Sequence, residues 1–339
     1  MMKKIVISLV VIAVLAGGVF AYLKFGPKIG NQTSLPTESV DTEEFVNTDE
    51  SPDSKTIYSN CPTESEEKGL KSKQENPPNE GGGPSVHNIY RLTSADQTNF
   101  SAENTLLLSG SSVPDGVKTA DGRELVYFVA GTESAHGMRV AERQSNGSLE
   151  VLNCVTFDGA FEISAVDPNV LLLPDGRLRM TYLSNFNEPG ENQIINSAVS
   201  TDGVNFTVED ALFSGSNFSD PTETLLSDGR FLLAIPGTGD NTDFYISSDG
   251  KNFQKQGSLR NEGGGFGDLI AMPDGSVRFY IGSDAFRMYE SKDVGKTWSR
   301  GSVVVSGQSS DQYGVGMPSV LFDGSEMEIY YISSKGKNK

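Results

Sequence analysis

Five copies of one hairpin signature constrain the fold of this chain more than any other feature. Asp167–Tyr182 reads DPNVLLLPDGRLRMTY: a short apolar run, a Pro-Asp-Gly turn, then a second run alternating Leu178, Met180 and Tyr182. An Asp-Gly pair between apolar runs predicts a β-hairpin, because glycine supplies the positive φ that the turn needs. The signature recurs as VPDGVKTADGRELVYFV from Val113, DPTETLLSDGRFLLAI from Asp220, GDLIAMPDGSVRFYI from Gly267 and MPSVLFDGSEMEIYYI from Met317. Its turn pairs, Asp121-Gly122, Asp175-Gly176, Asp228-Gly229, Asp274-Gly275 and Asp323-Gly324, recur at roughly 50 residues, the period of a four-stranded propeller blade.

A second motif alternates with the first. Ser200–Phe206 is STDGVNF, Ser247–Phe253 is SSDGKNF, and Ser291–Trp298 is SKDVGKTW. An aspartate in a turn accepts backbone N–H bonds and fixes the turn, so Asp202, Asp249 and Asp293 are expected to be structural. Phe206, Phe253 and Trp298 are expected to pack between neighbouring sheets. Ile89–Asp115 aligns with Ile195–Pro221 almost throughout, with SADQTNF in the place of STDGVNF. Residues 88–110 therefore read as the two outer strands of a blade, and Met317–Ser333 as two inner strands without outer ones. Pairing them closes a ring and removes the free edges that invite aggregation. The expected fold is all-β, a five-bladed propeller over residues 88–335.

The ends of the chain read differently. Two lysines, Lys3 and Lys4, precede the uncharged stretch Ile5–Leu23, which is long enough at about 1.5 Å per residue to span a bilayer as a helix. The charge in front favours an N-in anchor. The rival is a cleaved signal peptide with a site at Val19-Phe20-Ala21, which would leave a secreted protein. No cysteine follows the apolar run, which argues against a lipoprotein. Residues 1–29 are thus read as anchor or signal, with the remainder outside the cytoplasm. Residues 30–87, rich in Ser, Thr, Glu, Asn and Pro, are expected to be a disordered acidic stalk, because they cannot bury enough apolar surface to offset ordering entropy. The two cysteines, Cys61 and Cys154, either form a disulfide in an oxidising compartment or remain free thiols. A zinc site is not supported by two cysteines and two histidines, His87 and His136. The net charge of −18 disfavours nucleic acid, whose phosphates need clustered Lys and Arg. The glycines at Gly263–Gly265 lack a following Lys-Ser/Thr and a helix, so they are not a phosphate loop.

Acidic residues gather where innermost strands begin: Asp115, Asp167, Asp220 and Asp268, with Glu223 and Glu262 close by. Carboxylates sharing a funnel raise one another's pKa. A protonated and an ionised member together are what glycoside hydrolysis uses. Two alternatives stand beside this one. Asp before Pro also favours a turn entering a strand, and the carboxylates would equally suit a structural cation in the channel. No other cofactor is expected. His136 is placed on the channel rim as a ligand contact or in an exposed loop, and Tyr313, with Asp268, is a further candidate ligand contact, in a loop.

The Ser-x-Asp-x-Gly-x-x-Trp/Phe pattern, matched in full by SKDVGKTW, resembles the Asp-box, or bacterial neuraminidase (BNR) repeat, of sialidase-like propellers. The blade count and the Asp-Pro strand starts are also similar to the arabinanase, levansucrase and invertase glycoside hydrolases. That resemblance implies Asp115 as base, Asp167 or Asp220 as the carboxylate that tunes the acid, and Glu223 or Glu262 as general acid. The first blade has Val113-Pro114-Asp115 rather than Asp-Pro, and the fourth has Glu262-Gly263-Gly264 in place of Glu-Gly-Pro. Glu223, three residues after Asp220, would point to the opposite strand face. True sialidase activity implies an Arg-Ile-Pro signature; here Ser112-Val113-Pro114 replaces it, and Arg287 and Tyr313 are simpler as a strand residue and a loop aromatic. The function expected is therefore that of an extracellular, membrane-tethered, monomeric, glycan-active propeller, resembling a glycoside hydrolase, with a non-catalytic propeller binding polysaccharide or protein as the alternative.

Overall fold

The computed structural model describes Cys61 and residues 83–334, except residues 132–135, 187–189, 238–239, 262–265, 283–284 and 307–315. The strands form five antiparallel blades. Blade 1 runs Ser111–Lys118, Glu124–Gly131, His136–Arg143 and Leu149–Cys154 from the channel outward. Blade 2 is Val166–Leu172, Leu178–Ser184, Gln193–Ser200 and Asn205–Gly215. Blade 3 is Thr222–Leu225, Phe231–Pro236, Asn241–Ser247 and Gln254–Arg260, and blade 4 is Phe266–Ala271, Val277–Gly282, Ala285–Ser291 and Ser302–Ser306. Blade 5 takes its inner strands, Gly316–Phe322 and Met327–Ser334, from the C-terminal side, and its outer strands, His87–Ser94 and Ser101–Ser109, from the N-terminal side. Pairing across that junction is continuous, from His87 opposite Ser334 to Ser94 opposite Met327. The five innermost strands pack against one another in a ring.

Sequence explains the local structure. The second strand of each blade is buried on both faces, as in Leu178–Ser184, where every residue is buried. Such strands read as continuous apolar runs. The hairpin glycines carry φ of 83° to 97°, while the aspartates before them keep negative φ. The turn is thus a type I turn closed by a left-handed glycine, not a turn with two left-handed residues. Asp175 shows the reason: its carboxylate accepts the Arg177 N–H at 3.1 Å.

The outer Ser-x-Asp turns hold themselves. Asp202 accepts the N–H groups of Val204 and Asn205, each at 2.8 Å, and Ser200 Oγ accepts Gly203 N–H at 2.9 Å. Asp249 repeats the pattern with Lys251 and Asn252, and Asp96 does so with Thr98 and Asn99. Burial works against ionisation of Asp202, yet the bonds from Asn205 and Val204 outweigh it and hold its pKa at about 2. Phe206 is buried edge-on to Tyr127 of blade 1, and Trp298 of blade 4 lies 4.5 Å from Phe244 of blade 3. Each aromatic thus fills the seam with the preceding blade.

Two features lay beyond the sequence patterns. Thr156–Phe157 adds a parallel fifth strand outside blade 2, with Phe157 stacked on Tyr182 at 4.1 Å. Cys61 is disulfide-bonded to Cys154, with Cα atoms 5.0 Å apart, which resolves the two cysteine alternatives. Among the described residues no helix is long and apolar enough to cross a membrane; Ile5–Leu23 and most of the expected stalk lie outside the described residues.

Candidate functional site

Each innermost strand begins with a related tripeptide at one end of the channel: Val113-Pro114-Asp115, Asp167-Pro168-Asn169, Asp220-Pro221-Thr222, Phe266-Gly267-Asp268 and Met317-Pro318-Ser319. In the four blades that carry proline, the residue before it is left-handed: Val113 at φ 47°, Asp167 at 55°, Asp220 at 41° and Met317 at 49°. In blades 1, 2 and 5 the ladder slips at this point. A proline has no N–H to donate, and a bulge on a strand edge is where it is tolerated. Blade 4 has Gly267 in that place; its ladder runs without a slip and Phe266 is not left-handed. Left-handed φ on a non-glycine residue costs about 1–3 kcal/mol.

The third residues of the tripeptides form a closed belt. Asp115 accepts Val170 N–H at 2.5 Å, Asn169 Oδ1 accepts Glu223 N–H at 2.6 Å, and Thr222 Oγ1 accepts Leu269 N–H at 3.1 Å. Asp268 accepts Val320 N–H at 2.7 Å, and Ser319 Oγ accepts Gly116 N–H at 2.9 Å. Every blade therefore bonds the same backbone position of the next, and the fifth bond returns to blade 1. Thr222 also donates to Asp268 at 2.6 Å, and Asn169 reaches it from across the channel at 3.3 Å. The space left is about 30 Å³, about the share of one water molecule. Burial, then the neighbouring Asp268, push the Asp115 carboxyl well above the usual range; burial holds Asp268 at about 6 against the bonds from Thr222, Val320 and Leu269.

The first residues behave differently. Asp167 and Asp220 stand side by side on blades 2 and 3, and Asp167 Oδ2 accepts Asp220 N–H at 2.9 Å. Asp220 Oδ1 is buried with no hydrogen-bond partner. Burial raises Asp167 to about 6; burial and the Asp167 charge push Asp220 well above the usual carboxylate range. Between about pH 4 and the higher value the pair holds a proton that two isolated aspartates would have released.

The remaining expected residues are dispersed. Glu223 leaves the channel, as its strand position implied: it is buried between blades 2 and 3, bonded to Arg179 Nε at 2.9 Å and Thr181 Oγ1 at 2.6 Å. Arg179 continues to Glu209 at 3.1 Å and the Gly250 carbonyl at 2.5 Å. His136 is the first residue of a strand rather than part of an exposed loop. It is 9% exposed and edge-on to Phe186. Glu262 and Tyr313 lie outside the described residues. Among the described residues no three His, Cys, Asp or Glu side chains are grouped to hold a metal ion. The belt positions Asn169, Thr222 and Ser319 carry no charge and so stand outside the acidic pattern; the aligned tripeptides, each ending in Asp, Asn, Thr or Ser, hold the signal.

No family model matches this chain, and no curated protein matches it. Solved structures do. A thermostable family-43 glycoside hydrolase is 15% identical, with a TM-score of 0.51 over 66% of this chain and 88% of that one. A GH32 beta-fructofuranosidase from Bombyx mori is 12% identical, with a TM-score of 0.51 over 68% of this chain and 56% of that one. An alpha-L-arabinofuranosidase from Clostridium thermocellum is 14% identical, with a TM-score of 0.50 over 64% and 80%. The likeness is one of fold.

Proposed function

We propose that this protein is a glycan-active propeller that engages a terminal sugar at the channel mouth, with Asp220 as the protonated acid and Asp167 as the ionisable carboxylate. One comparison within the molecule carries the proposal. Val113 and Met317 adopt the same left-handed conformation before proline as Asp167 and Asp220, so the backbone does not require carboxylates there. Asn169, Thr222 and Ser319 make the same belt bond as Asp115 and Asp268, so the belt carboxylates have a structural explanation. Asp167 caps the Asp220 N–H, and Asp220, with its Oδ1 buried and unbonded, is left without a structural explanation. Perturbed, imperfectly satisfied carboxyls at a cavity mouth are the usual mark of acid–base chemistry. The fold shared with a family-43 glycoside hydrolase and a GH32 beta-fructofuranosidase supports a sugar as the ligand.

The small channel favours a second version, binding without turnover. Ligand pockets usually measure about 300–1,000 Å³, and the belt leaves about 30 Å³, so a sugar would rest on the mouth rather than enter. The test is hydrolysis of aryl glycosides and neutral polysaccharides by the full chain and by an Asp167→Asn, Asp220→Asn double variant. Turnover lost in a folded variant establishes a glycosidase. Glycan binding without turnover, lost in the variant, establishes a lectin-type mouth. Glycan activity unchanged in the variant removes the mouth from the account.

The Ser-x-Asp turns support assignment to the Asp-box type, since their carboxylates cap the turn and their aromatics fill the seam. The disulfide supports an extracytoplasmic propeller, because such bonds persist in oxidising compartments. Ile5–Leu23 would then serve as its membrane anchor, and a monomer remains the expected state. Alkaline extraction of membranes tests the anchor: release of the full-length chain into the supernatant would contradict it.

A further inference from the structure

Four of the five seams between blades are closed in one way. The outer turn of each blade meets a residue of the preceding blade: Gly203 meets Leu125, Gly250 meets Arg179, Gly295 meets Leu232, and Gln97 accepts Arg278 Nη1 at 2.8 Å. Blade 1 is the exception. Its outer turn is Gln144–Ser148, without the Ser-x-Asp pattern or its aromatic, and nothing lies within 4 Å of where a Cβ on Gly147 would be. The seam between blades 5 and 1 is packed at its core by Val126, Phe128, Tyr330 and Ile332, and opens at its turn end as a cleft of about 680 Å³ on the face opposite the channel mouth.

Charged side chains line this cleft in place of the aromatic. Arg91, Arg123 and Arg143 face it together with Glu124, Glu142 and Asn146. The deeper members are fixed. Glu328 accepts Arg91 at 2.8 Å and Arg143 at 2.6 Å, Arg143 also reaches Tyr330 at 3.1 Å, and Tyr330 donates to Glu124. Arg143 makes these bonds through Nη1. Among the described residues its Nε and Nη2 are left to donate. Arg123 spans Asp121 at 3.0 Å and Glu142 at 3.8 Å at the rim.

We propose that this cleft is a second glycan-binding site, taking the vicinal hydroxyls of a neutral saccharide. Mixed signs select the ligand class. An anion would meet Glu124 and Glu142, and a cation would meet three arginines. A diol gives donors to the carboxylates and acceptors to the guanidinium edges at once. The cleft volume lies within the range of small-molecule sites. The site is separate from the mouth and does not depend on chemistry there.

The test is a glycan array of neutral and acidic oligosaccharides probed with the full chain, followed by calorimetric titration of the strongest neutral hit. Three proteins are compared: wild type, Arg123→Ala with Glu142→Gln, and Asp167→Asn with Asp220→Asn. The two rim residues are half-buried and take no part in the Arg91–Glu328–Arg143 bonds, so their substitution leaves that seam intact, and a matching melting temperature verifies this. Expected is neutral-glycan binding weakened at least tenfold by the rim variant and retained in the mouth variant. Absence of neutral binding, preference for acidic glycans, or binding lost only in the mouth variant would overturn the proposal.

Discussion

At the scale of single residues, the same side chain serves two ends according to its register. Asp115 and Asp268 lace blades together, whereas Asp167 and Asp220, two positions earlier in the tripeptide, are buried neighbours whose carboxyls are both pushed up. The sign of the pH dependence follows. Asp167 and Asp268 have folded-state values of about 6, above an unfolded value of about 3.9. The folded state therefore binds more protons than the unfolded state across that window. Stability falls as pH rises from about 4 through about 6, and goes on falling until Asp115 and Asp220, also pushed well above the usual range, have ionised. The turn carboxylates act in the opposite sense: Asp202, at about 2, contributes stability that is complete above its unfolded value and is lost in acid. The melting temperature is predicted to peak near pH 4, where the two effects cross, and Asp167→Asn with Asp220→Asn should raise it at pH 8. A melting temperature that climbs steadily from pH 4 to 8 would contradict this. Glu223 makes a second case. Its carboxylate is fully buried against Arg179, and Arg179 keeps Glu209 as a second partner, so Glu223→Gln should cost about 1–3 kcal/mol in urea unfolding, the range for weakening a buried charged hydrogen bond. Aspartate before proline was ambiguous in the sequence because turn entry and chemistry predict the same dipeptide. Val113-Pro114 and Met317-Pro318 separate the two, but only once their φ values are known.

At the scale of elements, the hairpins were legible because Asp-Gly turns and alternating apolar residues are local signals. The blade boundaries followed from them. The parallel strand Thr156–Phe157 was not legible: it is too short to show a period, and its pairing with Asn205–Phe206 comes from a segment nearly 50 residues away. The outer turns test the seam description. Gly203 has φ 78°, and a Cβ there would lie 2.7 Å from Leu125 Cδ1 and 3.0 Å from Tyr127 Oη. Gly147 has φ 86° but open space. Gly147→Ala should cost about 1–2 kcal/mol, the left-handed penalty alone, and Gly203→Ala distinctly more. Equal costs by chemical denaturation would mean that the blade 1 seam is closed like the rest.

At the scale of the whole molecule, ring closure was visible as an internal alignment, because residues 88–110 repeat the outer half of a blade whose inner half lies at the other end of the chain. The disulfide was not decided by sequence, since Cys61 sits in a segment with no other ordering signal. It ties Cys61 to the end of the outermost strand of blade 1, where Cys154 is fully buried. Its loop of 93 residues implies a stabilisation of up to about 4.7 kcal/mol if denatured-state entropy dominates. Cys61→Ser with Cys154→Ser should lower the unfolding midpoint correspondingly, and reductant should have no effect on that variant. The central claim is that Asp167 and Asp220 form a proton-holding pair at the channel mouth, and ¹³C NMR titration of the aspartate carboxyl carbons tests it most directly. Single Asn variants would assign the resonances. The prediction is that Asp167 titrates near 6, that Asp220 is held well above the usual carboxylate range, and that Asp167→Asn, which removes the charge facing Asp220, returns Asp220 toward lower values. Both carbons titrating near 4, without mutual influence, would contradict it.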